Sequence, residues 1–173
     1  WRSKSQKDSM PASTGIVMSS GVEIEDLSQN QMAYLVNQYK DPSNQDSYVN
    51  KYGKDYPRVM KEMEALLNEE VQELMRWQVE EFFPSLYDGY NEAYKKVYRT
   101  SMPWNEHYAG RIYREGVEDN SVDVLSNDKG AYKGFASPGS TKSRVNNTKA
   151  IKSMDQMAAM MTYVNDMNYF AAF

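Results

Sequence analysis

The feature that most constrains this chain is a run of apolar side chains at helical spacing. Met60, Met63, Leu67, Val71, Leu74, Met75 and Phe82 recur with a period near 3.6 over roughly six turns. Only an α-helix gathers such a series on one face. The spacing predicts a long helix from near Asp55, with Pro57 tolerated in its first turn. A strict heptad fails at Glu70, so the helix is expected to face a core and not a long coiled coil. Pro84 is expected to kink or restart it. Leu86, Tyr87, Tyr90, Tyr94, Val97 and Tyr98 then continue the spacing to about Arg99.

Two further helices flank this one. Leu27, Gln31, Tyr34, Leu35 and Gln38 predict a helix over 27–40, capped by Asp26 or Ser28 and stopped by Asp41-Pro42-Ser43-Asn44. A short helix or turn is expected over 45–54, ending at Gly53. The last helix is expected from about Lys149 onward, with Thr148 as its cap. Ile151, Met154, Ala158, Met161, Val164 and Met167 would form its apolar stripe. Residues 1–24 are rich in Ser and Gly and read as an extended N-terminal arm. Within it only 15–18 and 22–24 resemble short strands. Between about 102 and 147 the periodicity is lost, and five glycines and two prolines punctuate a long non-regular segment. This segment is expected either to wrap another surface or to be functional, and to lack order on its own. The fold class read from the chain is mainly α. It would be an irregular helical array over 25–173, with a long crossing segment and an N-terminal arm.

Composition narrows the chemistry. The 173 residues include no Cys and a single histidine, His107. Disulfide scaffolds, Cys nucleophiles and sites needing two imidazoles are therefore excluded. No apolar run approaches the roughly 20 residues of a membrane-spanning helix. The mean hydropathy is -0.79. The net charge of -4 is mild, but it is unevenly placed. The stretch from Asp55 to Glu81 is acidic, whereas 129–152 carries no acid. Lys129, Lys133, Lys142, Arg144, Lys149 and Lys152 form a basic strap there. The first reading is two complementary solvated surfaces. The second is contact with phosphate or an acidic partner. The chain opens at Trp1 and closes on an apolar stretch without a stop signal, and reads as a piece of a larger polypeptide. Twelve Met and fourteen Tyr read mainly as core filling, and otherwise as an adaptable surface for an outside helix.

Each candidate for chemistry has a plainer reading. Glu69, Glu73 and Glu80 share a helical face, as acid–base pairs or Mg²⁺ ligands can, but such spacing is first of all a solvated face. His107, among Trp104, Asn105, Glu106 and Tyr108, lacks a nucleophile motif and reads as a packed or hydrogen-bonded loop residue. The Gly-rich stretch 134–143 places its Lys two positions too late for a P-loop. Asn146-Asn147-Thr148 matches a glycosylation sequon. Tyr108, Arg111, Tyr113 and Arg114 can stack on bases and hold phosphates. The preferred reading is a loop anchored by Arg–carboxylate pairs to the acidic middle helix. Together with Trp104 and His107 they are the candidates for loop anchoring or interface. No catalytic, cofactor-binding or metal-ligating residue is assigned.

Several stretches, in order, resemble a helical region of the large polyvalent and internal virion proteins of tailed bacteriophages and mobile elements. Residues 27–35 resemble its "L-T-x-x-Q-x-x-x-L" helix. Residues 77–98 resemble its helix pair, with Phe82-Phe83-Pro84 leading to Asn91-Glu92-Ala93-Tyr94. Tyr108 to Arg114 resembles its "N-Y-x-P-x-x-R" turn, without the Pro. Ser143-Arg144 before the last helix is similar to its closing helix. The resemblance spans about 27–173. It implies a context and carries over no catalytic residue. That context is a virion component inside the phage particle, structural or ejected with the DNA into the host cytoplasm. Its partners would be other virion proteins, other parts of the same polypeptide, or packaged DNA. Two alternatives stay open. One is a segment of a virion-packaged enzyme, such as an RNA polymerase, whose catalytic residues lie outside these positions. The other is a nucleic-acid-binding module.

Overall fold

The structure is a computed structural model describing residues 10–110, 112–116 and 149–172. The described residues are mainly helical. Helix α1 spans Gln29–Tyr39 and lies at the centre. Ser28 caps it, its hydroxyl accepting from the Gln31 N–H while the Gln31 side chain accepts from the Ser28 N–H. This reciprocal pair satisfies two otherwise orphaned donors. Nearly every α1 side chain from Asn30 to Gln38 is buried, so the helix is enclosed all round and not on one stripe. A 3₁₀ turn at Pro42–Asn44, capped by the Asp41 carboxylate, leads into α2, Gln45–Tyr52. Gly53, at a φ of 59°, closes α2.

The long middle helix is interrupted twice. Helix α3, Tyr56–Leu66, ends where Leu67 turns extended. Asn68 then caps α4, Glu69–Trp77, by accepting from the Val71 N–H. This corrects the expectation of one unbroken helix through Leu67. The break lets Leu67 and Val71 point into the same core across a corner. The second interruption is a π-turn at Gln78–Phe82, closed by the Phe83 N–H on the Gln78 carbonyl. Pro84 follows directly, in the first turn of α5, Phe83–Tyr98. A proline ring collides with the carbonyl four residues earlier in a regular helix, and the wider π-turn relieves that collision. Arg99, left-handed, ends α5.

Residues 10–27 double back. Ala12 and Leu27 exchange both backbone hydrogen bonds, and the Ile24 N–H donates to Ile16. The two short apolar stretches thus meet through isolated bridges. They place Ile16, Ile24 and Leu27 in the core. The hairpin tip is tied to α3 by Ser19, whose N–H and hydroxyl both donate to Asp55 at 2.6 Å.

The last helix, α6, spans Gln156–Ala172. Its expected start near 149 is a correction. Ile151 pairs with Arg114 in an antiparallel bridge, and Asp155 accepts from Met157 and Ala158 as the cap. Thr148, the expected cap, lies outside the described residues. The buried face is Ala159, Met160, Tyr163, Met167 and Phe170, while Ala158 and Met161 are exposed. The helix is apolar on nearly every side, so periodicity could not fix which side faces inward.

Two apolar clusters result. The larger surrounds α1 and draws on the hairpin, α2, α3, α4, Tyr113 and Ile151. The smaller is aromatic and lies between α5 and α6. Among the described residues no helix is long and apolar enough to cross a membrane.

Candidate interaction surface

The stretch from Met102 to Gly116 crosses both clusters and carries most of the singled-out loop residues. Tyr87 on α5 donates its hydroxyl to the Met102 carbonyl at 2.6 Å, and the Met102 N–H donates to Asn91. Trp104 stands edge-on to the Tyr87 ring at 4.8 Å and is 55 % exposed. Asn105 donates to the buried Asp41 carboxylate at 2.7 Å. Tyr108 packs on Phe83 and Tyr163 at 5.3 and 5.2 Å. One short stretch is thus seated on α5, on α6 and on the end of α1.

Buried amides hold the next part. Gln38 of α1 donates to the carbonyls of Ala109 and Gly110. Asn44 in turn donates to the Gln38 carbonyl and side-chain oxygen. Both amides are fully buried, where each hydrogen bond is worth more than at a surface. Gly110 sits at a φ of 85°, and a Cβ there would lie 3.4 Å from the Phe83 ring. The Tyr113 N–H donates to the Tyr34 hydroxyl at 2.7 Å. Arg114 donates to the Ser47 hydroxyl on α2 at 3.0 Å. Arg114 thus makes a contact with α2. Arg111 lies outside the described residues.

His107 is exposed on a turn, and its N–H donates to the Asn105 side chain. Glu69, Glu73 and Glu80 are all exposed. Among the described residues no three His, Asp or Glu side chains stand close enough to hold a metal. Of the basic strap, Lys149 donates to the Gly116 carbonyl at 2.8 Å, and Lys152 is exposed. Lys129, Lys133, Lys142 and Arg144, the Gly-rich stretch and the sequon lie outside the described residues.

A charged junction fixes the segment from the other side. Lys51 pairs with Glu25 at 2.8 Å and with Glu115 at 3.5 Å, and Ser153 donates to Glu25. Burial alone would push the Glu25 carboxyl up. Lys51 and Ser153 outweigh it and hold the group below its ordinary range. Burial is also the main reason that the Tyr163 hydroxyl is pushed up to about 12. The same cause raises Tyr48, Tyr52 and Tyr90.

Sequence reasoning passed over Asp41, Asn44 and Ser47. Such polar side chains in and after a Pro turn read as ordinary turn chemistry, and no sequence signal marks Asp41 and Ser47 as partners of residues more than sixty positions away, or Asn44 as the support of the Gln38 amide that reaches Ala109. Comparison with protein-family models, with curated proteins and with solved structures finds no match.

Proposed function

We propose that this chain is a non-enzymatic packing module of a phage particle, a structural or ejected-cargo piece that works by helix packing and surface wrapping. The observation that carries this reading is the use made of the chemistry-bearing side chains. Tyr108, Asn105 and Arg114 of the crossing segment, together with Gln38 and Tyr34 of α1, are spent on seating that segment over the helices. The histidine and the three glutamates face solvent, and among the described residues they have no partner set of the kind catalysis needs. Trp104, half in solvent above Tyr87, is the kind of anchor that interfaces favour. The virion setting rests on the ordered resemblance of 27–173 to helical regions of internal virion proteins.

The test is mass spectrometry of purified, nuclease-treated particles from the source, with the intact mass of the parent polypeptide. Peptides from 27–172 recovered from the particle, in a parent without catalytic motifs, are the expected result. Absence from particles overturns the virion reading, and a parent with a catalytic domain replaces it with the enzyme-segment alternative. DNA affinity that falls steeply with salt, and is lost when Lys142, Arg144 and Lys149 become Ala, would instead favour the nucleic-acid module.

A further inference from the structure

A buried chain of three side chains ties the π-turn to α6. Gln156, at the start of α6, donates to the Gln78 side-chain oxygen at 2.6 Å. The Gln78 side-chain N–H in turn donates to the Met160 sulfur at 3.1 Å. Gln78 is 0 % and Gln156 1 % exposed. Turning the Gln78 amide round would set its oxygen against the sulfur, where neither can donate, so the sulfur fixes which way the amide points.

A thioether is a weak acceptor, and a buried amide N–H that ends on one recovers little of what water gave it. Oxidation of the methionine changes this balance. The sulfoxide oxygen is a far better acceptor, and it is carried by the sulfur that the Gln78 N–H already touches. In most cores a sulfoxide disrupts packing because its new polar oxygen is buried without a donor. At Met160 the donor is in place, and the bond from Gln156 polarises it further. Met160 sits in the aromatic cluster between α5 and α6 and is 7 % exposed. Met157 and Met161, on the same turn of α6, are 37 % and 53 % exposed.

We propose that Met160 is a reversible oxidation site whose sulfoxide is kept within the fold by the Gln78 side chain. A hydroperoxide transfers its outer oxygen to the sulfur, and the proton on that oxygen passes to the departing one. The O–O bond breaks, the S–O bond forms, the sulfur gives up an electron pair, and the peroxide leaves as water or an alcohol. A methionine sulfoxide reductase reverses the change at the expense of a dithiol, which ends as a disulfide while the oxygen leaves as water. Oxidation thus strengthens the tie between the π-turn and α6 instead of breaking it. This assignment goes beyond the packing role above and stands whether or not the chain belongs to a particle.

The probe is hydrogen peroxide, added in graded amounts to the full chain, with peptide mass spectrometry reading the sulfoxide fraction at each methionine. Brief proteolysis in urea then removes unfolded molecules. Expected is sulfoxide at Met160 in chains that survive this step, at a frequency within about twofold of the thioether form. In Gln78→Leu that survival should fall at least about tenfold, because the sulfoxide oxygen then lacks its donor. Sulfoxide at the exposed Met161 should survive alike in both proteins. Met160→Gln, which carries an acceptor oxygen without oxidation, gives a second test by urea unfolding. Its midpoint should stay near that of the unaltered chain. Met75→Gln, at a similarly buried site 5 % exposed, should lose at least about tenfold in its folding equilibrium constant. Absence of Met160 sulfoxide from folded chains overturns the proposal, as do equal survival in Gln78→Leu and the unaltered chain and equal losses in Met160→Gln and Met75→Gln.

Discussion

At the scale of single residues, Gly110 decides how the crossing segment descends past α5. Its backbone is left-handed, and a Cβ there would meet the Phe83 ring at 3.4 Å, in ordinary contact. Gly110→Ala should therefore destabilise the protein by about 1–2 kcal/mol, the usual strain of an L-residue in that conformation. Gly89, in the exposed middle of α5 with nothing within 4 Å of a Cβ, provides the opposite case. Gly89→Ala should stabilise by about 0.5–1 kcal/mol, because glycine weakens a helix interior. Urea unfolding of the two variants checks both signs. A Gly110→Ala variant that is not destabilised would remove the left-handed strain from the account, and a destabilised Gly89→Ala would remove the helix-propensity argument there.

At the scale of elements, the corner at Leu67–Asn68 and the π-turn before Pro84 set the phase of everything between them. Val71, Met75 and Gln78 are buried before the π-turn, and Phe83, Tyr90 and Tyr94 after it. A regular helix would have carried the buried face to Phe82. The π-turn adds one residue to the turn, so the next position, Phe83, faces inward and Phe82 is half-buried against Trp77. The capping box of α1 is the other device at this scale. Ser28→Ala should cost about 1 kcal/mol, measured by thermal unfolding. Ser28→Asn should recover most of it, because Asn also accepts from the N3 amide. A failure of Asn to do so would mean that burial of the Ser28 position matters more than its cap.

At the scale of the whole molecule, buried tyrosines and paired carboxylates set the pH range of stability. Tyr163 has a folded pKa of about 12 against an ordinary value of 10.0. Between these two values the unfolded chain has lost a proton that the folded one retains. Stability must then fall as pH rises from about 10 to about 12, by roughly 2–3 kcal/mol for this group alone. Tyr48, Tyr52 and Tyr90 act in the same direction. A phenolate titration by absorbance should show a class of tyrosines that ionises only with unfolding. At the acid end the sign is reversed. Asp55, held low by the two Ser19 hydrogen bonds, and Glu25, held low against its burial by Lys51 and Ser153, contribute stability above their ordinary carboxylate range. That contribution is lost as pH falls through their depressed folded values. Asp55→Asn should flatten the acid limb of a stability–pH curve, and an unchanged limb would remove Asp55 from the account.

The sequence by itself determined the mainly helical class, because apolar spacing near 3.6 residues is a local property that no tertiary contact has to supply. It also carried the stop at Asp41-Pro42, the end of α2 at Gly53 and the disturbance at Pro84, each the direct result of a backbone restriction. Other features were decided only by the tertiary structure. The inward face of α6 is one, since a helix apolar on most sides is oriented by what packs against it. The corner at Leu67–Asn68 is another, since Leu67 fits a helical stripe and turns extended only because the core lies around a bend. The seating of 102–116 is the third. Gln38, Asp41 and Tyr34 are polar side chains whose hydrogen bonds reach partners distant in the chain, and such pairings have no period for a sequence to display.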